Sequence, residues 1–252
     1  MSAPRLLGSR VLGPRVLGPR VLGIAVVVPA RDESALIERC LAAVAVARDR
    51  LHDDHQEVRV VTVVVADACT DDTAELARRA PGVTVIETAG GAVGVARAAG
   101  VDRAMRLLAA EGVDESAVWI ANTDADSVVP PQWLVAQVAL ADDGSDVMVG
   151  TVRPDFADLS AEQIAAWTAR HTPGRPNGHV HGANLGLRAS AYRAAGGFDA
   201  LDLHEDVVLV ERLRETDAVV TASDAGEVLT SGRRVGRTRG GYAGYLAVDL
   251  LA

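Results

Sequence analysis

The sequence predicts an α/β protein with a mostly parallel central sheet flanked by helices. Three observations carry that expectation. Short, continuous, β-branched runs recur at "GIAVVVPA" (23–30), "VRVVTVVVAD" (58–67) and "AVWIAN" (117–122), too evenly apolar for strands with one wet face. Segments of helical periodicity separate them, and strand–helix alternation of this kind builds a parallel sheet covered on both faces. Polar clusters follow the runs at once: "PARDE", "ADACTDD" and "NTDADS". Ligands of such sheets bind beyond the carboxyl ends of the strands, where these clusters fall.

The elements follow in order. Residues 1–22 carry a five-residue repeat, "RVLGP RVLGP RVLGI", starting at Arg10, Arg15 and Arg20. Its Gly-Pro steps exclude a helix and its period fits no solenoid, so a low-complexity, disordered leader is expected, with the folded part beginning near Gly23. After the first strand, "DESALIERCLAAVAVA" sets Leu36, Ile37, Cys40, Leu41 and Val44 on one helical face. After the second strand, "DDTAELARRA" reads as a helix with Asp72 as cap and Glu75 completing a capping box. "VTVIE" is a third strand and "AVGVARAAGVDRAMRLLAA" a longer helix. "AVWIAN" then leads into the acidic cluster. Beyond it, "VMVGTVRP" reads as a strand, "SAEQIAAWTARH" as a helix capped by Ser160, and "HEDVVLVERLRE" as a helix opening on two acids. "GHVHGANLGLRASAYRAAGGFD" is glycine-rich and turn-like, and "SGRRVGRTRGGYAGYL" spreads Arg233, Arg234, Arg237 and Arg239 among glycines.

Composition narrows the function classes. The 252 residues carry a net charge of −9, and every basic residue is arginine. Such a chain has no overall field for nucleic acid, so any phosphate is met locally by arginines, backbone amides or a metal. Cys40 and Cys69 lack metal-like spacing and read as two thiols of a reducing compartment. No apolar run reaches the length of a membrane span, so a cytoplasmic protein is expected, with peripheral membrane contact left open.

Asp124 and Asp126 close the apolar run "WIAN" one residue apart. In an extended segment residues i and i+2 point the same way, so both carboxylates could face one cation. Hard oxygen ligands suit Mg²⁺ or Mn²⁺, which usually bridge to phosphates. An isolated Asp-x-Asp reads equally well as a turn or a helix cap before "PPQWL"; its place at the binding edge of the sheet favours the metal.

Several segments together resemble the family 2 glycosyltransferases, nucleotide-sugar-dependent enzymes of the GT-A fold. "VVVPARDE" is similar to the family's first motif, with Asp32 where Asn is common. "VVADACTDDTAE" resembles its second, with Ala66 in place of one acid and Asp67 keeping the other. "GVARAAG" (94–100) resembles a Gly-x-Ala-Arg-Asn segment, with Ala98 for Asn. "DADS" resembles the DXD metal motif, and "GANLGLRASAYRAAGGFD" followed by "HEDVVL" the acceptor-side signature. The resemblance implies one GT-A domain over 23–252. Residues 23–127 would be its Rossmann-like nucleotide-sugar half and 128–252 its acceptor half. It implies an inverting transferase that moves a sugar from a UDP- or GDP-linked donor to a hydroxyl acceptor, with Mn²⁺ or Mg²⁺ as cofactor. Pro29, Ala30, Arg31, Glu33, Asp67, Arg97 and Asp124 would then bind the nucleotide. Asp126 and Asp124 would hold the metal, and Asp206, beside Glu205, would be the general base. Gly182, Ala183, Asn184, His204, Arg233 and Arg234 remain for the diphosphate or the acceptor. His179 and His181 read as loop residues.

Nucleotidyl transfer fits less well, since "PARDE" is no glycine-rich, lysine-bearing phosphate loop and the chain has no lysine. A dinucleotide dehydrogenase would need a G-x-G-x-x-G after the first strand. A non-catalytic nucleotide-sugar-binding module remains the alternative outside enzymes, given Ala66 and Ala98.

Overall fold

The computed structural model describes residues 18–233, 236 and 241–251. Its centre is one eight-stranded sheet: β1 (Gly23–Ala30), β2 (Arg59–Asp67), β3 (Val83–Thr88), β4 (Val118–Asn122), β5 (Ser127–Val128), β6 (Val147–Pro154), β7 (Leu185–Arg188) and β8 (Val220–Thr230). The order across it is β3-β2-β1-β4-β7-β6-β8-β5. The four strands from β3 to β4 are mutually parallel, as expected. β7 then runs antiparallel to β4 and β6, β6 pairs β8 in parallel, and β5 pairs β8 antiparallel, so the sheet is mixed.

β1 shows why its sequence is continuously apolar. Alternate residues point to opposite faces of a strand. Ile24, Val26, Val28 and Ala30 join one buried cluster with α1 (Ile37–Asp54) and α4 (Trp133–Asp142). Ala25 and Val27 join the other, with α3 (Val93–Ala110) and α7 (Glu205–Arg214). The face of α1 is the predicted one, Ile37, Cys40, Leu41 and Val44, continued by Ala47 and Leu51. Register aligns the strand ends: Ala30 lies opposite Ala66, and Val27 opposite Asn122. The loops after β1, β2 and β4 therefore open on one edge.

Three local expectations change. The α2 helix (Thr73–Arg79) has Asp72 in the cap position, but that side chain makes no cap bond. Asp71 takes the work instead, accepting from Thr73 N–H at 3.0 Å and from Ser34 N–H at 3.0 Å. Glu75 turns outward to Arg79, its i+4 neighbour. The glycine-rich stretch is not all turn, since it holds β7 and the short α6 (Ala189–Ala194). Residues 18–22, assigned to the leader, pack onto the sheet: Val21 is buried, and Leu22 N–H donates to the Ala117 carbonyl at 2.9 Å. The rest of the leader, residues 1–17, lies outside the described residues. The Ser160 capping box of α5 (Ala161–Arg170) forms as expected, reciprocated by Gln163. Both cysteines are free thiols. Among the described residues, no helix is long and apolar enough to cross a membrane.

Candidate active site

The end of β4 places the acids. Asn122 is the last strand residue, and the chain then turns, Ser127 N–H donating to the Asp124 carbonyl at 3.0 Å. The segment is thus a tight turn and not the extended run expected. The two carboxylates consequently meet different cations. Asp124 Oδ1 accepts from Arg97 Nη2 at 2.6 Å, and Asp126 Oδ2 lies 2.9 Å from Arg233 Nη2. They still feel each other: burial, together with the charge of Asp124, pushes the Asp126 carboxyl up to about 6, against the pull of Arg233.

Arg97 rises from the first turns of α3 and is 3% exposed. Its Nε donates to Glu205 Oε1 at 2.9 Å, so one guanidinium ties the β4 turn to the N-terminus of α7. Burial works against its charge, but Asp124 and Glu205 overrule it and hold the group firmly cationic. Burial likewise raises the Glu205 carboxyl, with Arg97 opposing. Two glycines make this approach possible. At Gly182 a Cβ would run into Arg97 Nη2, and at Gly94 one would run into the Asp199 carbonyl of the loop before α7. The Arg97 Nη1 group is buried and has no partner among the described residues.

Arg233 makes the second bridge. Its Nη1 and Nη2 donate to Glu33 Oε2 and Oε1 at 2.8 and 2.6 Å, in the fork geometry suited to a carboxylate. Among the described residues, four carboxylates, Glu33, Asp124, Asp126 and Glu205, thus pair with two guanidiniums, Arg97 and Arg233. The donors of this acidic cluster are the hard oxygens a divalent cation prefers.

The other predicted residues fall around this centre. Pro29 and Ala30 end β1, and Arg31 is exposed after them. Asp67 ends β2 and accepts from the Thr88 hydroxyl at 2.6 Å. Asp206, half-buried, accepts from Gly182 N–H at 2.5 Å and from Val207 N–H at 2.8 Å. His204 is exposed and sits in the left-handed region, φ 62°, as the residue before α7. Ala183 is buried. Asn184 faces inward, where its amide donates to the Thr151 and Gly226 carbonyls at 2.8 Å each and accepts from Trp133 Nε1 at 2.9 Å. Arg234 lies outside the described residues, as do Arg237 and Arg239.

Two features escape sequence reasoning. Cys40 stands behind the acidic turn, its thiol donating to the Asp124 carbonyl at 3.3 Å; its place on the buried face of α1 was the available signal. Asp32, Cys69 and Asp71 bring ligand-type atoms within 4.8 Å of one another, the one such group among the described residues. They stand at the neighbouring ends of β1 and β2, which is where "PARDE" and "ADACTDD" had pointed. Their atoms are engaged within the protein. Asp32 accepts from Thr70 N–H at 2.6 Å, Asp71 from Ser34 and Thr73, and the Cys69 thiol donates to the Ala30 carbonyl at 3.4 Å. Burial opposes ionisation of Asp71, yet its bonds to Thr73 and Ser34 hold the carboxyl far below the usual range. This group ties two loops together and is a poor metal site.

Residues 25–194, more than half of the chain, match the family described as Glycosyl transferase family 2. The chain belongs to glycosyl transferase family 2. Solved structures with similar folds agree. A mannosyltransferase from Pyrobaculum calidifontis in complex with GDP-Man and Mn2+ is 21% identical, with a TM-score of 0.57 over 89% of this chain and 62% of that one. S. aureus TarS is 16% identical, with a TM-score of 0.58 over 83% of this chain and 36% of its own. Glucosyl-3-phosphoglycerate synthase from Mycobacterium tuberculosis, in complex with Mn2+ and uridine-diphosphate-glucose, is 19% identical, with a TM-score of 0.51 over 90% of this chain and 75% of that one. The chain thus spans less than two thirds of the first two. Curated proteins yield no significant match by sequence. The family 2 domain here has the GT-A fold, and its acidic turn, Arg97 and the start of α7 form one contiguous cluster.

Proposed function

We propose that this family 2 protein is an inverting glycosyltransferase that moves a sugar from a UDP- or GDP-linked donor to an acceptor hydroxyl. The observation that carries the reading is the acidic cluster at the strand ends: four carboxylates paired with two arginines, with Arg97 bridging the β4 turn to the start of α7. The nucleoside would lie over the ends of β1 and β2, along Pro29, Ala30, Arg31 and Asp67. Glu33 sits below that floor, tied to Arg233.

Asp126 and Asp124 would hold Mn²⁺ or Mg²⁺; when bound, the ion would supply Lewis-acid stabilisation of charge on the diphosphate. Each remaining role falls to the chain itself. Arg97 fixes Asp124 and Glu205 relative to each other, which sets the distance between donor and acceptor sides. Arg233 is the part-exposed guanidinium that can turn to the diphosphate, where a planar fork grips anionic oxygens well. Of the two acids opening α7, Glu205 is committed to Arg97 and buried, whereas Asp206 is half-buried. Asp206 is therefore assigned the acceptor proton. Its Gly182 and Val207 bonds aim the carboxylate, and attack on the face opposite the leaving group inverts the anomeric carbon.

The test is turnover of a nucleotide-sugar panel with Mn²⁺, with the product anomer read by NMR. Asp206→Ala should lower transfer by about 10²- to 10⁴-fold, the usual worth of a positioned base, while leaving UDP or GDP affinity in place. Retained configuration, or full activity in the variant, would remove Asp206 from this role.

A further inference from the structure

Strand β8 ends against the acidic turn itself. Ser231 N–H donates to the Asp126 carbonyl at 3.2 Å, and the Thr230 hydroxyl reaches Asp126 Oδ1 at 3.4 Å. One residue on, Gly232 N–H donates to Asp158 Oδ2 at 2.9 Å. Arg233 thus leaves a fixed base and crosses directly over the turn. Its Nη2 serves both Glu33 Oε1, at 2.6 Å, and Asp126 Oδ2, at 2.9 Å. One of the two carboxylates proposed for the divalent ion is therefore already paired with a cation of the protein's own chain.

We infer that Arg233 is an internal counter-ion that competes with the divalent cation for Asp126 and thereby makes metal and nucleotide bind cooperatively. The inference rests on the donor-site reading above and adds to it an order of events. With no ligand, the guanidinium occupies a lone pair of Asp126 and repels a second cation. A nucleoside diphosphate offers that guanidinium anionic oxygens in the geometry it grips best. Once Arg233 turns to them, Asp126 is released as the nucleotide brings oxygens of its own to the metal. Linkage makes the effect reciprocal: whatever factor the nucleotide adds to metal affinity, the metal adds to nucleotide affinity.

Side-chain environment singles out Arg233 for this part. It is 28% exposed, against 3% for Arg97, and its guanidinium pairs with Glu33 and Asp126. Arg97 is enclosed between Asp124, Glu205 and Gly182 and has nowhere to turn.

The experiment titrates MnCl₂ into the full chain by calorimetry, alone and with saturating UDP or GDP, for the wild type and Arg233→Gln, with thermal melts confirming that both are folded. In the wild type, nucleotide should tighten Mn²⁺ binding by at least about fivefold, the lower end of ordinary site coupling. Arg233→Gln should tighten Mn²⁺ alone on the order of tenfold and bring the coupling toward one. Equal or weaker Mn²⁺ binding in the variant would overturn the inference, and so would independent binding of metal and nucleotide in the wild type, a result that needs no variant. No Mn²⁺ binding, either with or without UDP or GDP, would instead sink the donor-site reading, and this inference with it.

Discussion

Arg97 and Arg233 each bridge two carboxylates, and water separates their roles. Arg97 is sealed between α3, α7 and the β4 turn and holds Asp124 and Glu205, while the part-exposed Arg233, at the end of β8, holds Glu33 and Asp126. A buried ion pair costs several kcal/mol per ion to desolvate and recovers this only through close, complete pairing. An exposed pair costs little to form and little to break. The first kind is suited to holding a site rigid and the second to exchanging partners during a cycle.

The sharpest way to break the comparison is to remove each guanidinium. Arg97→Met would strand Asp124 and Glu205 without a partner, and Glu205 is buried. Loss of one partner of a buried pair costs about 3–5 kcal/mol, so the urea midpoint should fall steeply and activity vanish. Arg233→Gln also leaves a buried acid, Glu33, but its guanidinium is 28% exposed against 3% for Arg97, so the loss should be smaller, about 1–3 kcal/mol. Equal losses in the two denaturation curves would mean that Arg233 is as structural as Arg97.

The dry side can also be read through pH. His181 precedes Gly182, the residue whose missing side chain admits Arg97, and its ring meets Tyr242 edge-on at 5.4 Å. Burial, then the neighbouring His179, pushes the His181 imidazole down to about 4, against a weaker opposite pull from Asp124. Between about 6.5 and about 4 the unfolded chain takes up a proton that the folded chain refuses. Stability is therefore intact above that window and lost as pH falls through it, by up to about 3 kcal/mol. His181→Phe keeps an aromatic ring against Tyr242 and should flatten the difference between urea midpoints at acid and neutral pH. An unchanged slope would place water around His181 and weaken the contrast with Arg233.

The same division decides what the sequence discloses. Strands β1 to β4 are legible because both faces of that part of the sheet are covered, which forces continuous apolar runs and puts polar residues at their ends. β7 is only "LGLR", and at Gly186 a Cβ would strike Trp119 and Gln137, so packing against a neighbouring ring selects glycine inside a strand. β8, "VTASDAGEVLT", is half-exposed, and its pairing with β6 shifts register between Gly150 and Val152. Its alternation is broken accordingly. Within the site, Asp124, Asp126, Glu205 and Arg97 are legible by type and order. That Arg97 bridges two of them is not, because 108 residues separate it from Glu205. Asn184 stands in a motif that resembles an acceptor contact, yet its amide is spent on the core. One sequence cannot say which side of a turn an amide faces.

Lysine replacements give the finest test, since they keep the charge and remove the fork. An ammonium at position 97 cannot serve Asp124 and Glu205 from the two separate nitrogens that Nε and Nη2 provide. One carboxylate would lose its bond, at a cost of up to about 1–3 kcal/mol in the unfolding free energy where that is the buried Glu205. At position 233 the same change leaves a point charge, on a part-exposed side chain, near Glu33 and Asp126. Stability should fall less than at position 97, while Mn²⁺ binding without nucleotide should tighten about two- to threefold, the scale of one weakened ion pair. The ratio matters more than either value. If Arg97→Lys proved as mild as Arg233→Lys, geometry at the buried bridge would be dispensable, and charge alone would hold the β4 turn to α7.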